Sequence, residues 1–371
     1  MSESKPNSSF EENRSLWRVL DAAADRGREA VRVIEDAVRF LTDDASLDAR
    51  LKAFRHEYAA LTALLSWDER LAARDAAADV GSTLEGAGEY RRSSLGTILA
   101  ANFCRLQEAL RSLEEFSKLA KPEMARRAER LRYASYTLQK DVHAAFTAAD
   151  RLTRLSAARL YVLVTCGVSD DDAEKIALAG TEIFQLRDKS ATDRELFTAG
   201  LRLTALFDRL AASGKLPARP LLIVNDRADL AAAVGADGVH IGQTELPPDR
   251  ARRIIGPGLI LGLSTSRLEE AREALAEIGG PTRVDYLGAG SVFPTATKPD
   301  ARGAGLGYLR SLASLAIPVP VFAIGGINAE NLPQVLETGI GRVCVASAVT
   351  GRADMGKAAE ELHTILAQKE G

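Results

Sequence analysis

In the second half of this chain, polar residues gather where hydrophobic runs end. Gln185-Leu-Arg187-Asp-Lys189 closes one run; alternation points Gln185 and Arg187 to one face, and Lys189 opens the loop. An amide and two cations converging there suit a diphosphate, although a salt-bridged loop would look the same. Val224-Asn225-Asp226-Arg227 and Val239-His240-Ile241-Gly242-Gln243-Thr244-Glu245 put Asp226 and Glu245 at the ends of the next two runs. Two hard carboxylates beside a diphosphate suggest one Mg²⁺, which keeps several waters and takes one or two protein carboxylates. His240 lies inside its run and reads as a packed histidine, not a ligand. Asp229 and Asp237 read as capping and turn residues. Gly262-Leu-Ser264-Thr-Ser266 supplies hydroxyls, and Phe293-Pro294-Thr295-Ala-Thr297-Lys298 makes a donor-rich turn for anionic oxygens. The glycine-rich stretch 299–307 reads as a mobile lid over a water-sensitive reaction. Gly325-Gly326 and Ser347 end the series, with bare backbone whose N–H groups can approach a phosphate. A metal-assisted diphosphate site and a monophosphate site together fit transfer of a group from a diphosphate onto a phosphorylated acceptor.

Such residues need a scaffold that brings many strand ends together. Short apolar runs at 160–165, 183–187, 221–224, 238–241, 260–264, 285–289, 319–324 and 343–346 alternate with helix-patterned segments. Eight strands in roughly 210 residues is the arithmetic of a TIM (β/α)8 barrel, whose active sites lie at the C-terminal strand ends. A doubly wound open sheet is the rival, but no G-x-G-x-x-G follows the first strand. Before residue 158, apolar residues recur at helical spacing over 16–41, 47–65, 95–119 and 125–146, with Pro122 separating the last two. The expected fold class is therefore α/β, a C-terminal TIM barrel preceded by an all-α helical bundle. The expected boundaries are a disordered leader at 1–13, the bundle at 14–150 and the barrel at 151–371. Segment 120–158 reads as helix, so the two domains are expected to be rigidly related.

The helical half contains a repeat. Glu29-Ala-Val-Arg32-Val-Ile-Glu35-Asp36 returns 79 residues later as Glu108-Ala-Leu-Arg111-Ser-Leu-Glu114-Glu115, and Arg26 matches Arg105 under the same offset. Either two equivalent helices pair Arg and carboxylate rows across a bundle seam, or both are solvated faces with i,i+4 ion pairs.

Composition narrows the class. Hydrophobic content of 46% and charged content of 27% are those of a globular protein, and no run is long enough for a membrane span. The polar N-terminus has no signal-peptide character. Three scattered cysteines and four spaced histidines argue against disulfides and a zinc site, and for a reducing, cytoplasmic setting. A net charge of −3 gives no reason to expect nucleic acid as a partner. Small-molecule substrates are expected, with no membrane partner, and a homo-oligomer is left open.

In order and spacing, QLRDK, NDRADLAAAVGADGVHIGQ, GLSTS, FPTATK and AIGGI resemble the thiamine phosphate synthase family across nearly all of 158–368. The resemblance implies condensation of a hydroxymethylpyrimidine diphosphate with a thiazole phosphate. In that reaction diphosphate leaves, a pyrimidinylmethyl cation forms, and the thiazole nitrogen captures it. It further implies that Gln185, Arg187 and Lys189 bind diphosphate, that Asn225 meets the pyrimidine, and that Asp226 and Glu245 hold Mg²⁺. Ser264, Thr295, Thr297 and Lys298 would be further substrate contacts, with Lys298, Ser264 and Arg187 as catalytic groups. Gly326 and Ser347 would form the thiazole phosphate pocket. Two departures stand out. Glu245 replaces the usual aspartate, and Ser266 stands where the family often has histidine. The missing histidine favours a synthase over the related thiazole tautomerase, which with phosphate-sugar isomerases is the alternative for this barrel.

LDAAADRGREAVRVIEDAVRFL, LKAFRHEY, RDAAADVGS and AANFCRLQEALRSLEEFSK resemble a small helical family assigned as hydroxymethylpyrimidine phosphate kinase. That resemblance implies ATP as a substrate, although the chain has no P-loop. Groups that could bind phosphate and metal here are Arg28, Arg32, Asp75, Asp79, Glu89, Arg91, Asn102, Arg105 and Arg111. The turn from Asp79 to Thr83 could cradle an anion or merely join helices. A structural or dimerisation bundle is the alternative.

Overall fold

The computed structural model describes residues 8–75, 92, 94–276, 283–294, 304–315 and 317–368, with the side chains of 8–12 and 276 left aside. The chain separates into two compact units, Met1–Thr147 and Ala148–Gly371.

The first unit is helical: α1 (Ser8–Leu41), α2 (Ala45–Thr62), α3 (Trp67–Ala73), α4 (Leu95–Ser117) and the beginning of α5 (Pro122–Ala157). Helix α1 starts at Ser8, inside the stretch expected as a leader. Side-chain caps set several starts. Asp44 accepts from the Leu47 amide and Ser66 from that of Glu69, while Ser94 and Thr97 form a capping box. Leu20, Ile34, Val38, Phe103, Leu110 and Leu113 fill the core with residues from α2 and α5.

The repeat is structural, and neither reading of it fits fully. Arg32 pairs with Glu35 and Asp36 on its own helix, and Arg111 pairs with Glu114 and Glu115 on its own. The buried members, Glu35 and Glu114, receive a second arginine from the following helix: Arg55 at 2.5 Å and Arg132 at 2.8 Å. Helix–helix ion pairs therefore run within each half of the duplication. Burial explains why: a lone desolvated glutamate is costly, so each copy keeps its partner.

The second unit runs β1 (Leu160–Val164), α6 (Asp170–Leu178), β2 (Ile183–Leu186), α7 (Asp193–Ala212), β3 (Leu221–Asn225), α8 (Ala228–Ala233), β4 (Gly238–Ile241), α9 (Pro248–Ile255), β5 (Ile260–Thr265), α10 (Leu268–Ala276), β6 (Tyr286–Gly290), α11 (Gly305–Ala313), β7 (Val321–Ile324), α12 (Leu332–Leu336), β8 (Val343–Val345), α13 (Ser347–Thr350) and α14 (Met355–Ala367). The strands close in sequence order, each parallel to the next, with β1 pairing β8. This is a TIM barrel, and each expected strand is present within two residues of its expected bounds. Aliphatic outward faces pack under the helices. Inside, Ile183, Leu221, Ile223, Ile260 and Phe322 form a separate core that Leu155 and Ala158, at and just beyond the end of α5, extend.

Two expectations change. Gly305 opens α11, so the end of the proposed lid is helix, and residues 299–303 lie outside the described ones. Asp237 is no turn residue. It is fully buried at the foot of β4, where it accepts from the Leu222 amide and from Arg151, both at 2.9 Å, and pairs with Arg219 at 3.0 Å. Asp229 is not the N-cap of α8, a place taken by Arg227; it lies in the first turn of that helix and pairs with Arg227. All three cysteines are free, with Cys104 exposed and Cys344 buried. Among the described residues no helix is long and apolar enough to cross a membrane.

Candidate active site

Barrel register decides which side chains meet. Leu163 lies opposite Gln185, Asn225 opposite His240, and Ser264 opposite Gly288, so polar strand ends from β2 to β6 face one space. A single pocket there is lined by Gln185, Arg187, Lys189, Asn225, Asp226, Glu245 and Ser264, and also by Gly325, Gly326 and Ser347. Every described candidate of the barrel reaches this pocket. Thr295, Thr297 and Lys298 lie outside the described residues.

Asp226 sits at the end of β3 with φ 61°, a left-handed conformation uncommon for a residue with a side chain. Its amide donates to the His240 carbonyl at 2.8 Å, holding it against β4. Burial first, and then the Glu245 carboxylate, pushes the Asp226 carboxyl above its usual range, while Lys189 and Arg187 act the other way. Two carboxylates and two cations thus interact in one place. Glu245 folds back on its own loop and accepts from the Thr244 hydroxyl at 3.1 Å. A Cβ at Gly242 would lie 2.3 Å from Glu245 Oε2, so Gly242 provides the room for this longer carboxylate. Among the described residues no group of three or more His, Cys, Asp or Glu could hold a metal.

The opposite wall is backbone. Gly325 and Gly326 have φ of 106° and 66°. A Cβ on Gly326 would lie 2.7 Å from the Pro294 carbonyl oxygen, so both conformation and close approach require glycine. Beneath lies a buried polar floor. Gln185 Nε2 donates to the Tyr161 hydroxyl at 2.7 Å, and Tyr161 and Tyr286 share a hydrogen bond of 2.9 Å. His240 meets Tyr286 through Nδ1 at 3.0 Å and Ser264 through Nε2 at 2.8 Å. Gly262 stands opposite Tyr286 and vacates the space its ring fills, because a Cβ there would lie 2.1 Å from the ring.

Residues 161–349 match the family model described as Thiamine monophosphate synthase, and 18–141 match the ThiD2 family. A thiamine-phosphate synthase of Rhodopirellula baltica is 37% identical over 96% of this chain and 94% of its own. One from Gloeobacter violaceus is 41% identical over 93% and 95%. This chain belongs to the thiamine-phosphate synthase family. It is accordingly a transferase. A solved structure, a thiamine phosphate pyrophosphorylase from Pyrococcus furiosus, is 39% identical, with a TM-score of 0.51, over 59% of this chain and all of its own.

For this synthase the sequence motifs missed Tyr161, Tyr286 and His240 as site residues, and His240 is both packed and exposed to the pocket lining. A signal was present: both tyrosines occupy inward strand positions that barrels usually fill with branched aliphatics.

Among the described residues, the helical candidates are engaged with local partners. Arg28 pairs with Asp25, Arg32 and Arg111 pair with the carboxylates of the repeat, and Asp75 pairs with Arg14. Asn102 is buried and donates to the Ile98 carbonyl. Arg105 is exposed. Asp79, Glu89 and Arg91 lie outside the described residues. A shallow depression beside Ser66, Trp67 and Arg70 includes none of these candidates.

Proposed function

We propose that the barrel joins 4-amino-2-methyl-5-hydroxymethylpyrimidine diphosphate to thiazole phosphate, carboxylated or not, giving thiamine phosphate and diphosphate. The observation that carries this reading is one pocket with cations and carboxylates on one wall and a glycine backbone cradle on the other. Arg187 and Lys189 would take the negative charge of the leaving diphosphate. Gly326 and Ser347 would seat the acceptor phosphate, fixing the thiazole nitrogen against the pyrimidine methylene. Capture of a cation by that nitrogen needs no general base, so charge stabilisation and exclusion of water are the main tasks.

The chemistry of Asp226 and Glu245 fits a hard divalent cation, because burial and the neighbouring Glu245 carboxylate already disfavour the charged form of Asp226. These two residues would hold Mg²⁺, which when bound supplies charge neutralisation to the diphosphate. Gly242→Ala is expected to push Glu245 from its place and raise the Mg²⁺ concentration for half-maximal activity about 10-fold, the scale of disturbing a ligand's support. The thermal midpoint should stay unchanged; an unaltered Mg²⁺ titration removes Glu245 from the metal site. Gly326→Ala is expected to raise KM for thiazole phosphate about 10-fold while KM for the pyrimidine diphosphate holds. Equal rises in both would assign Gly326 to general folding.

For the helical unit we propose phosphorylation of hydroxymethylpyrimidine phosphate by ATP, which would supply the barrel's diphosphate substrate. Support is the family match over 18–141. The test follows thiamine phosphate made by the full-length chain with Mg²⁺ and thiazole phosphate, from the pyrimidine monophosphate or diphosphate, with and without ATP. ATP dependence with the monophosphate alone supports both activities. Product from the diphosphate only assigns the helical unit a structural role, and no product from either removes the synthase reading.

A further inference from the structure

Among the described residues lining the pocket are Arg187 and Lys189, but not Asp188 between them. The Asp188 carboxylate is turned into the loop instead. Its Oδ1 accepts from the Ser190 amide at 3.1 Å and the Ser190 hydroxyl at 2.7 Å, and its Oδ2 accepts from the Cys166 amide at 3.3 Å. The bonds to Ser190 make a local turn of the kind aspartate commonly closes. The bond to Cys166 leaves the loop, because Cys166 follows β1, the strand paired with β2. The Cys166 carbonyl is held in turn by Arg202 of α7, which donates to it at 3.2 Å, to the Val168 carbonyl at 2.7 Å and to Asp170 at 2.5 Å. Residue 166 thus joins Asp188 to α7, and α7 itself starts at a capping box of Thr192 and Glu195. Segment 188–192 is therefore fixed at both ends, with Lys189 inside it. The Ser190 hydroxyl first, and then amides that include that of Cys166, hold the Asp188 carboxyl below its usual range, so it is an ionised acceptor at neutral pH.

We propose that Asp188 is a positioning residue for the anion wall: through Ser190 and Cys166 it fixes the turn that presents Lys189 to a diphosphate. The inference rests on the synthase reading of this pocket. The Lys189 ammonium is near enough to favour the charged form of Asp226, so it reaches the reacting end of the pocket. A long lysine side chain is costly to immobilise, and a fixed backbone lowers what binding must still order. Two effects of Asp188 oppose each other. Its negative charge repels an anionic ligand wherever its oxygens point. The turn it holds favours the same ligand, and misplacing a contact by about 1 Å can cost on the order of 100-fold. Positioning is the larger effect, because amide and hydroxyl donors already offset the charge and solvent screens the rest. The sign of the change on removing Asp188 therefore separates the two.

Titration calorimetry of the full-length protein with inorganic diphosphate and Mg²⁺ reads the anion wall without turnover. Steady-state kinetics with both substrates accompanies it, and thermal midpoints check the fold. Asp188→Ala is expected to weaken diphosphate binding about 10-fold or more and to raise KM for the pyrimidine diphosphate alike, while KM for thiazole phosphate holds. Arg202→Gln, which alters no pocket-lining residue, should act in the same direction to a smaller extent. In a Lys189→Met background, Asp188→Ala should change the dissociation constant by less than about 2-fold, because both substitutions remove one interaction. Tighter or unchanged binding in folded Asp188→Ala overturns the proposal. Additive losses in the double variant overturn it as well, since Asp188 then acts other than through Lys189. If Asp188→Ala does not fold, Ser190→Ala, which removes only the hydroxyl bond, carries the same comparison with the same signs. Wild type that binds diphosphate but forms no thiamine phosphate sinks the synthase reading, and the calorimetry still decides the role of Asp188.

Discussion

Asp226→Asn is expected to lower kcat/KM for the pyrimidine diphosphate by about 10³-fold, the scale of removing one preorganised electrostatic contact, while the protein stays folded. The argument rests on isolating charge. Asparagine is nearly isosteric with aspartate and is among the residues that tolerate the left-handed φ found at this position. The sign of the stability effect also follows. The carboxyl of Asp226 is raised above its usual range by burial and by Glu245, so at neutral pH its ionised form opposes folding. A neutral amide removes that opposition, and the thermal midpoint should hold or rise. Steady-state kinetics over an Mg²⁺ titration, with calorimetry of both proteins, measures the two effects. Full activity in the variant would rule out Asp226 as a ligand. A collapsed midpoint would make it a structural residue.

The largest effect on stability is expected at the other end of the barrel. Asp237→Ala should destabilise the second unit by about 3–5 kcal/mol, the usual cost of stripping one partner from a buried ion pair. Asp237 is the fully buried acceptor for Arg151 and the Leu222 amide and the partner of Arg219, and Arg154 stands 3.9 Å away. Alanine removes the buried carboxylate that those guanidinium groups share. Loss on this scale is a large part of a domain's total stability of about 5–15 kcal/mol. Both tryptophans, Trp17 and Trp67, belong to the first unit, so their fluorescence does not report barrel unfolding. Urea midpoints should instead be read from synthase activity and far-UV circular dichroism. Asp237→Asn, which keeps an acceptor for Leu222, should cost less than alanine. A shift below about 1 kcal/mol for alanine would mean that solvent replaces the carboxylate.

Strand positions were legible in the sequence because apolar alternation and turn residues are local properties that every barrel strand must satisfy. The motif residues were legible for a related reason. Once eight strands are assigned to a parallel barrel, Arg187, Asp226, Glu245 and Ser347 must stand at one end. The floor was not legible. Tyr161 and Tyr286 are 125 residues apart, and only barrel closure and register bring their hydroxyls to 2.9 Å. His240 read correctly as packed, yet its packing partner makes it part of the site. Asp237 read as a turn residue because its sequence neighbours are turn-like, whereas its three arginines come from α5 and from the loop before β3. Glu35 and Glu114 followed the same rule, since local spacing showed Arg32 and Arg111 but could not name Arg55 or Arg132. Backbone periodicity and strand-end chemistry are written in neighbouring residues. The members of a buried hydrogen-bond chain and the partner of a buried charge depend on long-range closure and desolvation, which only the tertiary fold imposes.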